Sequence, residues 1–420
     1  MLTITSCQKD SDILNEDTLV EEDLICEDCG IEVTKDISRL TQHNQIINVS
    51  SKISRSSIQL ELKATVDPLY VTHQGQEVLL NANHVAVKNR RVAASYSLVG
   101  EPYSGGVDVL SIPNNGDINL DGTLILPNRD IDAIDFLGNK QLLFGGGFDA
   151  SVYYGGDYPS FFGRYKIQYN KNTDVFSLSE EQMFHSIFGN KLRSIKTING
   201  IITGSGGGNS GVIFAFNEKN NTVIRHESNE TDGLFILDTS IEKKNNNYKF
   251  VALAFNNETK ELKAIYYDIS KSTDIMSFNS EVSLGTFNNI NVEAKHSLTA
   301  IKKDWLAVSM GSDGIGVFKI DTDNSGNKTA IMVQQMKNEI LDANKPDDVV
   351  NSFTYKSGVF YVAAGGAGIY VIKFKNNKLD EDFAHIEFPI GISVNSIAKS
   401  GQDLVIATTE GLSIYAMTGI

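Results

Sequence analysis

Asn351-Ser-Phe-Thr-Tyr-Lys-Ser-Gly-Val-Phe-Tyr-Val-Ala-Ala-Gly-Gly-Ala-Gly-Ile-Tyr-Val-Ile-Lys-Phe374 is the clearest unit of a repeat. It reads as a strand, a polar turn, an apolar strand ending in small residues, a Gly-containing turn, and a strand of Ile, Val, Tyr and Phe. The same order returns in Asn395–Met417 and in Thr299–Ile320. Looser copies begin near Val85, Ala133 and Ser194. The weakest begins near Ile236, where Phe250–Phe255 and Lys263–Asp268 supply two inner strands.

These make seven units over residues 82–417, or 48 residues each. A four-stranded propeller blade takes about 40–50 residues. A sheet this narrow cannot bury both faces alone, but radial stacking covers each face with a neighbour. The expected fold is therefore all-β, a seven-bladed β-propeller, with six or eight blades as the neighbouring solutions. Ala363-Ala364, Ala407, Gly204 and Gly145-Gly146 end the second strands, where small residues suit close backbone packing. The last unit has three strands before the chain stops, so an N-terminal strand is expected to close the ring. Gln76–Leu80 is assigned that role, and the alternating strand Ser57–Ala64 is left without a place.

Composition agrees. Of 420 residues, 35 are Gly, 36 are Phe or Tyr and only seven are Pro, which suits many strands joined by tight turns. Hydrophobic content of 41% supports a real core. The net charge of −15 argues against nucleic acid as a partner. No run of 18 apolar residues occurs, so no membrane-spanning helix is expected. A single Trp, at 305, argues against WD-type repeats.

Charge is concentrated at one end. From Gln8 to Asp36 there are eleven acids against Lys9 and Lys35, which is −9 of the −15. Such a block self-repels and stays solvated, so residues 8–55 are expected to be a disordered acidic tether, with the propeller spanning 56–420. Before it, Ile4-Thr-Ser-Cys7 has the order of a lipobox: an aliphatic residue, two small residues, and the cysteine that takes the lipid. Only six residues precede Cys7, fewer than a signal peptide needs, so the expectation is that a longer signal lies upstream and that residues 1–7 are its end. Cys26-Glu-Asp-Cys29 has no second cysteine pair to complete a zinc site, and a local disulfide is its plainest outcome.

The repeat, closest over Val349-Val-Asn-Ser through Val371-Ile, resembles the β-propeller lipoproteins of Bacteroidota built from LVIVD-type repeats. The Asp-x-Ser-x-Pro usual after the third strand in that family is absent. The resemblance implies an outer-membrane lipoprotein, facing the periplasm or the cell surface and held by its lipid anchor only. Acids directly after Cys7 are similar to the surface-export signal of such lipoproteins.

Candidate sites are few. Gly145 to Tyr169 carries eight aromatics on a Gly-rich stretch, and Tyr153, Tyr154, Tyr158 and Phe161 are assigned to ligand binding. Arg129, Asp130, Arg193 and His296 stand at blade entrances on the same rim and join that assignment. Asp117-Ile-Asn119-Leu-Asp121-Gly has the start of a calcium loop, though Asn128 stands where a bidentate Glu is wanted. Asp321–Gly326 has the same ambiguity. No cofactor is expected other than calcium at these two loops. The leading function is a monomeric, non-catalytic binding module for a glycan or an envelope protein. The alternative is a polysaccharide hydrolase or lyase with its site in the propeller funnel. A carboxylate pair, or a carboxylate with His or Arg, converging in the funnel would favour the enzyme.

Overall fold

The computed structural model describes residues 32–47, 50–51, 58–73, 75–98, 103–113, 117–138, 141–149, 160–170, 175–179, 185–187, 191–207, 211–217, 222–228, 233–244, 247–270, 275–302, 304–342 and 344–418. Among them the seven repeat units become seven antiparallel sheets in chain order. The propeller expected from the repeat is the fold.

Blade 6 shows the pattern. Its strands are Ser352–Lys356, Val359–Ala363, Ile369–Lys375 and Lys378–Ile386, from the axis outward. All five residues of Val359–Ala363 are buried, as are all five of Trp305–Ser309 in blade 5. A second strand has neighbouring blades on both faces, so its sequence is a continuous apolar run rather than an alternating one. The small residues at its end are required by contact. A Cβ on Gly145 would lie 2.3 Å from Leu192 Cδ2, and one on Gly146 would lie 1.9 Å from the Asp130 carbonyl oxygen.

Ring closure is by an N-terminal strand, but a different one from that assigned. Gln59–Val66 pairs with Gly411–Thr418 in register from Leu412↔Val66 to Thr418↔Gln59, completing blade 7. Its Leu60, Leu62, Ala64 and Val66 are buried. Gln76–Leu80 cannot do this. It continues without a break into the inner strand of blade 1, as Gln76–Lys88, and pairs backward with Leu69–His73 in a hairpin.

The tether boundary is also corrected. Glu32–Thr34 pairs with the outer strand of blade 1, Leu40–Ile47 with the closing strand of blade 7, and Ser50–Ser51 with the outer strand of blade 6. These three strands thus lie around the outside of the ring, across its closing seam. Cys7, Cys26 and Cys29 lie outside the described residues.

The inner strands are stitched to one another at all seven junctions. The backbone N–H of Ile134 donates to His84 Nδ1, that of Thr197 to Asp135, and that of Leu298 to Asp238. The Ser194 and Thr239 hydroxyls meet at 3.0 Å. The Phe353 N–H donates to Ser297, Asn351 Nδ2 donates to the Val394 carbonyl, and the Val85 N–H donates to Ser396. At six of these seven junctions a polar side chain near the start of an inner strand satisfies a neighbour's backbone near the axis, and at the seventh two hydroxyls meet.

Candidate functional site at the channel mouth

Connections between blades, and from second to third strands, lie at one rim, where the inner strands begin. Three short charged pairs stand there, each two residues apart: Asp130 and Asp132 before blade 2, Lys191 and Arg193 opening blade 3, and Glu293 and Lys295 before blade 5. Asp130 and Asp132 lie in extended chain, their N–H groups donating to the Gly147 and Gly145 carbonyls, so these two share a side, whereas Arg193 sits at a bulge and Glu293 in a turn.

Lys295 makes the longest reach. Its Nζ donates to the carbonyls of Asp132 at 2.9 Å and Arg193 at 3.4 Å, joining the entrance of blade 5 to those of blades 2 and 3 across the mouth. Burial pushes its pKa down to about 8. Lys196 pushes the same way, and Asp238 and Asp132 partly offset this. Glu293 accepts from Arg193 at 3.0 Å and bridges to Lys191 at 3.1 Å. Burial would raise its pKa, but the two cations outweigh burial and hold it below the ordinary glutamate value. Asp130 goes the other way. Burial and the neighbouring charge of Asp132 lift it to about 7, against a hydrogen bond from the Ser104 N–H. Burial, with Lys295 and Lys196 nearby, keeps His84 neutral, as its role as an acceptor requires.

The residues singled out in the sequence fall into three groups. Asp130 and Arg193 are at this mouth, although the Arg193 side chain is only 6% exposed. Arg129 and His296 are at the same rim but are internal. The Arg129 guanidinium lies 5.7 Å from the centre of the Phe161 ring. His296 is buried, with Nε2 2.8 Å from the Asn291 carbonyl and Nδ1 3.2 Å from that of Ser309. Burial keeps its pKa below the ordinary value despite both contacts. Phe161 is corrected outright. It is fully buried in the third strand of blade 2, against Phe144 and Phe148, so it is core and not a ligand platform. Tyr153, Tyr154 and Tyr158 lie outside the described residues.

The calcium motif is not built as a loop. Asn119 begins the outer strand Asn119–Pro127 and is exposed, as is Asp117. Asp121 is buried at a bulge and accepts from Ser111 Oγ at 3.2 Å. Asp323 closes the other candidate as a turn, accepting from the Ser325 and Asn327 backbones. Among the described residues no three His, Cys, Asp or Glu side chains gather as metal ligands.

Sequence reasoning missed Asp132, Lys191, Glu293 and Lys295. Their signal is a charge–x–charge pattern at or just before the start of an inner strand, visible at Asp130-Ile-Asp132, Lys191-Leu-Arg193 and Glu293-Ala-Lys295.

No family model matches this chain, and no curated protein matches it. Solved structures do. The WD40 β-propeller domain of Doa1 is 13% identical, with 84% of this chain and 97% of that chain covered and a TM-score of 0.50. Sqt1 from Chaetomium thermophilum is 11% identical, with 84% and 98% covered and a TM-score of 0.51. At these identities the likeness shows the fold alone.

Proposed function

We propose that this chain is a non-catalytic binding module of the bacterial envelope, lipid-anchored through Cys7, which takes a glycan or a protein on the rim around blades 2, 3 and 5. What carries the reading is that several charges of the channel mouth are tied off within the chain, although Asp132 Oδ2 and Arg193 Nε are buried there without a hydrogen-bond partner. Glu293 is held by Lys191 and Arg193, Lys295 donates to two carbonyls, and Asp238 accepts from Leu298. A mouth tied off in this way offers a rigid rim. The connection that bears Tyr153, Tyr154 and Tyr158 leaves blade 2 after Phe148 and returns at Ser160, at the same rim. Tyrosines offer flat apolar faces with polar tips, which suit sugar rings and protein hot spots.

The test is affinity electrophoresis against a panel of bacterial envelope polysaccharides, with Tyr153→Ala and Tyr158→Ala as variants. Retention that both variants lose supports the reading, and retention unchanged by both overturns this placement of the site.

One observation favours the enzyme as the second reading. Asp130, with its pKa lifted to about 7 beside Asp132, has the character of a general acid next to a second carboxylate. Release of reducing ends or unsaturated products from the same polysaccharides, abolished in Asp130→Asn, would decide for a hydrolase or lyase.

A further inference from the structure

The hairpin of Leu69–His73 and Gln76–Leu80 rises from the rim between blades 7 and 1. Its inner face is anchored. Leu69, Val71 and Leu80 belong to the core shared by those blades, and Leu69 covers Gly106 so closely that a Cβ there would lie 2.2 Å from its Cδ2. Its outer face is bare. Tyr70 and Leu79 are a direct cross-strand pair, 54% and 38% exposed.

Among the described residues, the backbone of Leu69–His73 is also unpaired on one side, for it is the last strand in its sheet, next to Gln76–Lys88. Two residues separate the paired His73 and Gln76, which makes these the hydrogen-bonded closing pair of a two-residue hairpin. Hydrogen-bonded and non-bonded pairs alternate from there, so Val71 and Leu69 also turn their N–H and C=O inward. Tyr70 and Thr72 therefore turn theirs away from the hairpin. Proteins usually blunt such an edge with Lys, Pro, a charge or a bulge. Pro68 and Gly75 bound this strand, but between them Leu-Tyr-Val-Thr-His carries none of these devices and its ladder is unbroken.

We propose that Leu69–His73 is a strand-addition site, which pairs with an extended, basic peptide segment of a partner protein. Backbone bonds to Tyr70 and Thr72 would supply register, and an apolar partner side chain would lie on the Tyr70–Leu79 face. Charge favours a basic partner, since residues 67–80 hold Asp67 and Glu77 and no Lys or Arg, and Arg39, which reaches the Asp67 carbonyl, is itself held by Asp108. Charge also argues against a second copy, since symmetric pairing about Val71 would bring the acidic segment of Asp67 and Glu77 against itself. This adds a second surface to the proposed binding function, and it names a kind of partner.

The probe is a fluorescein-labelled heptapeptide of alternating lysine and valine, titrated with the purified chain and read by fluorescence anisotropy. Thr72→Pro removes an outward N–H while sparing the hairpin's own bonds. Saturable binding is expected, weakened at least tenfold by Thr72→Pro with little change in melting temperature. It should also be weakened at least tenfold when glutamate replaces lysine in the peptide. Should Thr72→Pro disturb the hairpin, a peptide N-methylated at alternate residues tests the same bonds on the unaltered protein, and it should not bind. Binding indifferent to both Thr72→Pro and N-methylation, or no binding at millimolar peptide, overturns the proposal. So does concentration-dependent dimerisation that Thr72→Pro abolishes, which would assign the edge to a second copy. The polysaccharide assay is unaffected by any of these results, so failure here and failure of the rim reading are distinguishable.

Discussion

The guanidinium of Arg39 holds the carboxylate of Asp108 by two hydrogen bonds, of 3.0 and 2.9 Å, across 69 positions of sequence. Asp108 is fully buried in the third strand of blade 1 and also accepts from Tyr96 and Thr123, each at 2.6 Å. The same guanidinium donates to the Asp67 carbonyl, just after the closing strand of blade 7. One N-terminal side chain thus ties together the two blades that meet at the closing seam.

Breaking this pair should therefore cost more than an ordinary surface change. Removing one partner of a buried ion pair costs about 3–5 kcal/mol, because the other charge is left without compensation. Arg39→Ala is expected to fall in that range by urea denaturation. Arg39→Ala combined with Asp108→Asn is expected to be less destabilised than the two single changes added together. Additive losses would mean that the two residues do not act as a pair.

The closing strand can be tested against its rival by two leucines. Leu62 lies in Gln59–Val66 and is buried, whereas Leu79 lies in Gln76–Leu80 and is 38% exposed. Leu62→Ala should cost about 2–5 kcal/mol and Leu79→Ala roughly half a kcal/mol or less, measured as shifts in the urea midpoint at constant slope. The reverse order would restore Gln76–Leu80 as the closure.

Phe161 gives a third test. A buried Phe truncated to Ala costs about 3–5 kcal/mol. Phe161→Ala should therefore lower the melting temperature by many degrees and so change any binding only through loss of the fold. A melting temperature like that of the parent chain would return Phe161 to the surface.

The repeat made the fold legible because its clearest second strands, Trp305–Ser309 and Val359–Ala363, are short apolar runs buried on both faces, and those of blades 2, 3 and 6 end in Gly or Ala. The closing strand was not legible. Ser57–Ala64 and Gln76–Leu80 are both short alternating segments, and alternation says that a strand has one buried face without saying which strand it joins. The outer strands at residues 32–51 were hidden for another reason. They add to sheet edges through their backbones, and Val33 and Ile46 remain exposed, so the acidic composition pointed to solvent while the ladder formed regardless. Phe161 misled because aromatic density is the same in a core strand and in a binding loop. Only the start of the strand at Ser160 separates them. At the mouth, Asp130 and Arg193 stand at the rim expected of blade entrances, whereas Glu293 and Lys295 are distant in sequence from blades 2 and 3, and only the closed ring brings them to Asp132 and Arg193.

Two groups of that mouth titrate near neutrality with opposite consequences for stability. Asp130 goes from an ordinary aspartate value of 3.8 when unfolded to about 7 when folded. The folded chain holds this proton longer, so the contribution is full below pH 3.8 and is lost as pH rises toward 7. Lys295 goes from 10.5 to about 8. Here the folded chain gives up its proton earlier, so a cost present below pH 8 is relieved between pH 8 and 10.5. Each shift is worth no more than about 4 kcal/mol. Asp130→Asn keeps an oxygen for the Ser104 N–H and removes the titration. It should flatten the fall in unfolding free energy between pH 4 and 7 and leave the alkaline limb alone. Lys295→Met should do the converse, removing the rise between pH 8 and 10.5. Urea denaturation of both variants and the parent at pH 4.5, 7, 8 and 10 checks this. An acid limb unchanged by Asp130→Asn would show that another carboxyl group titrates there.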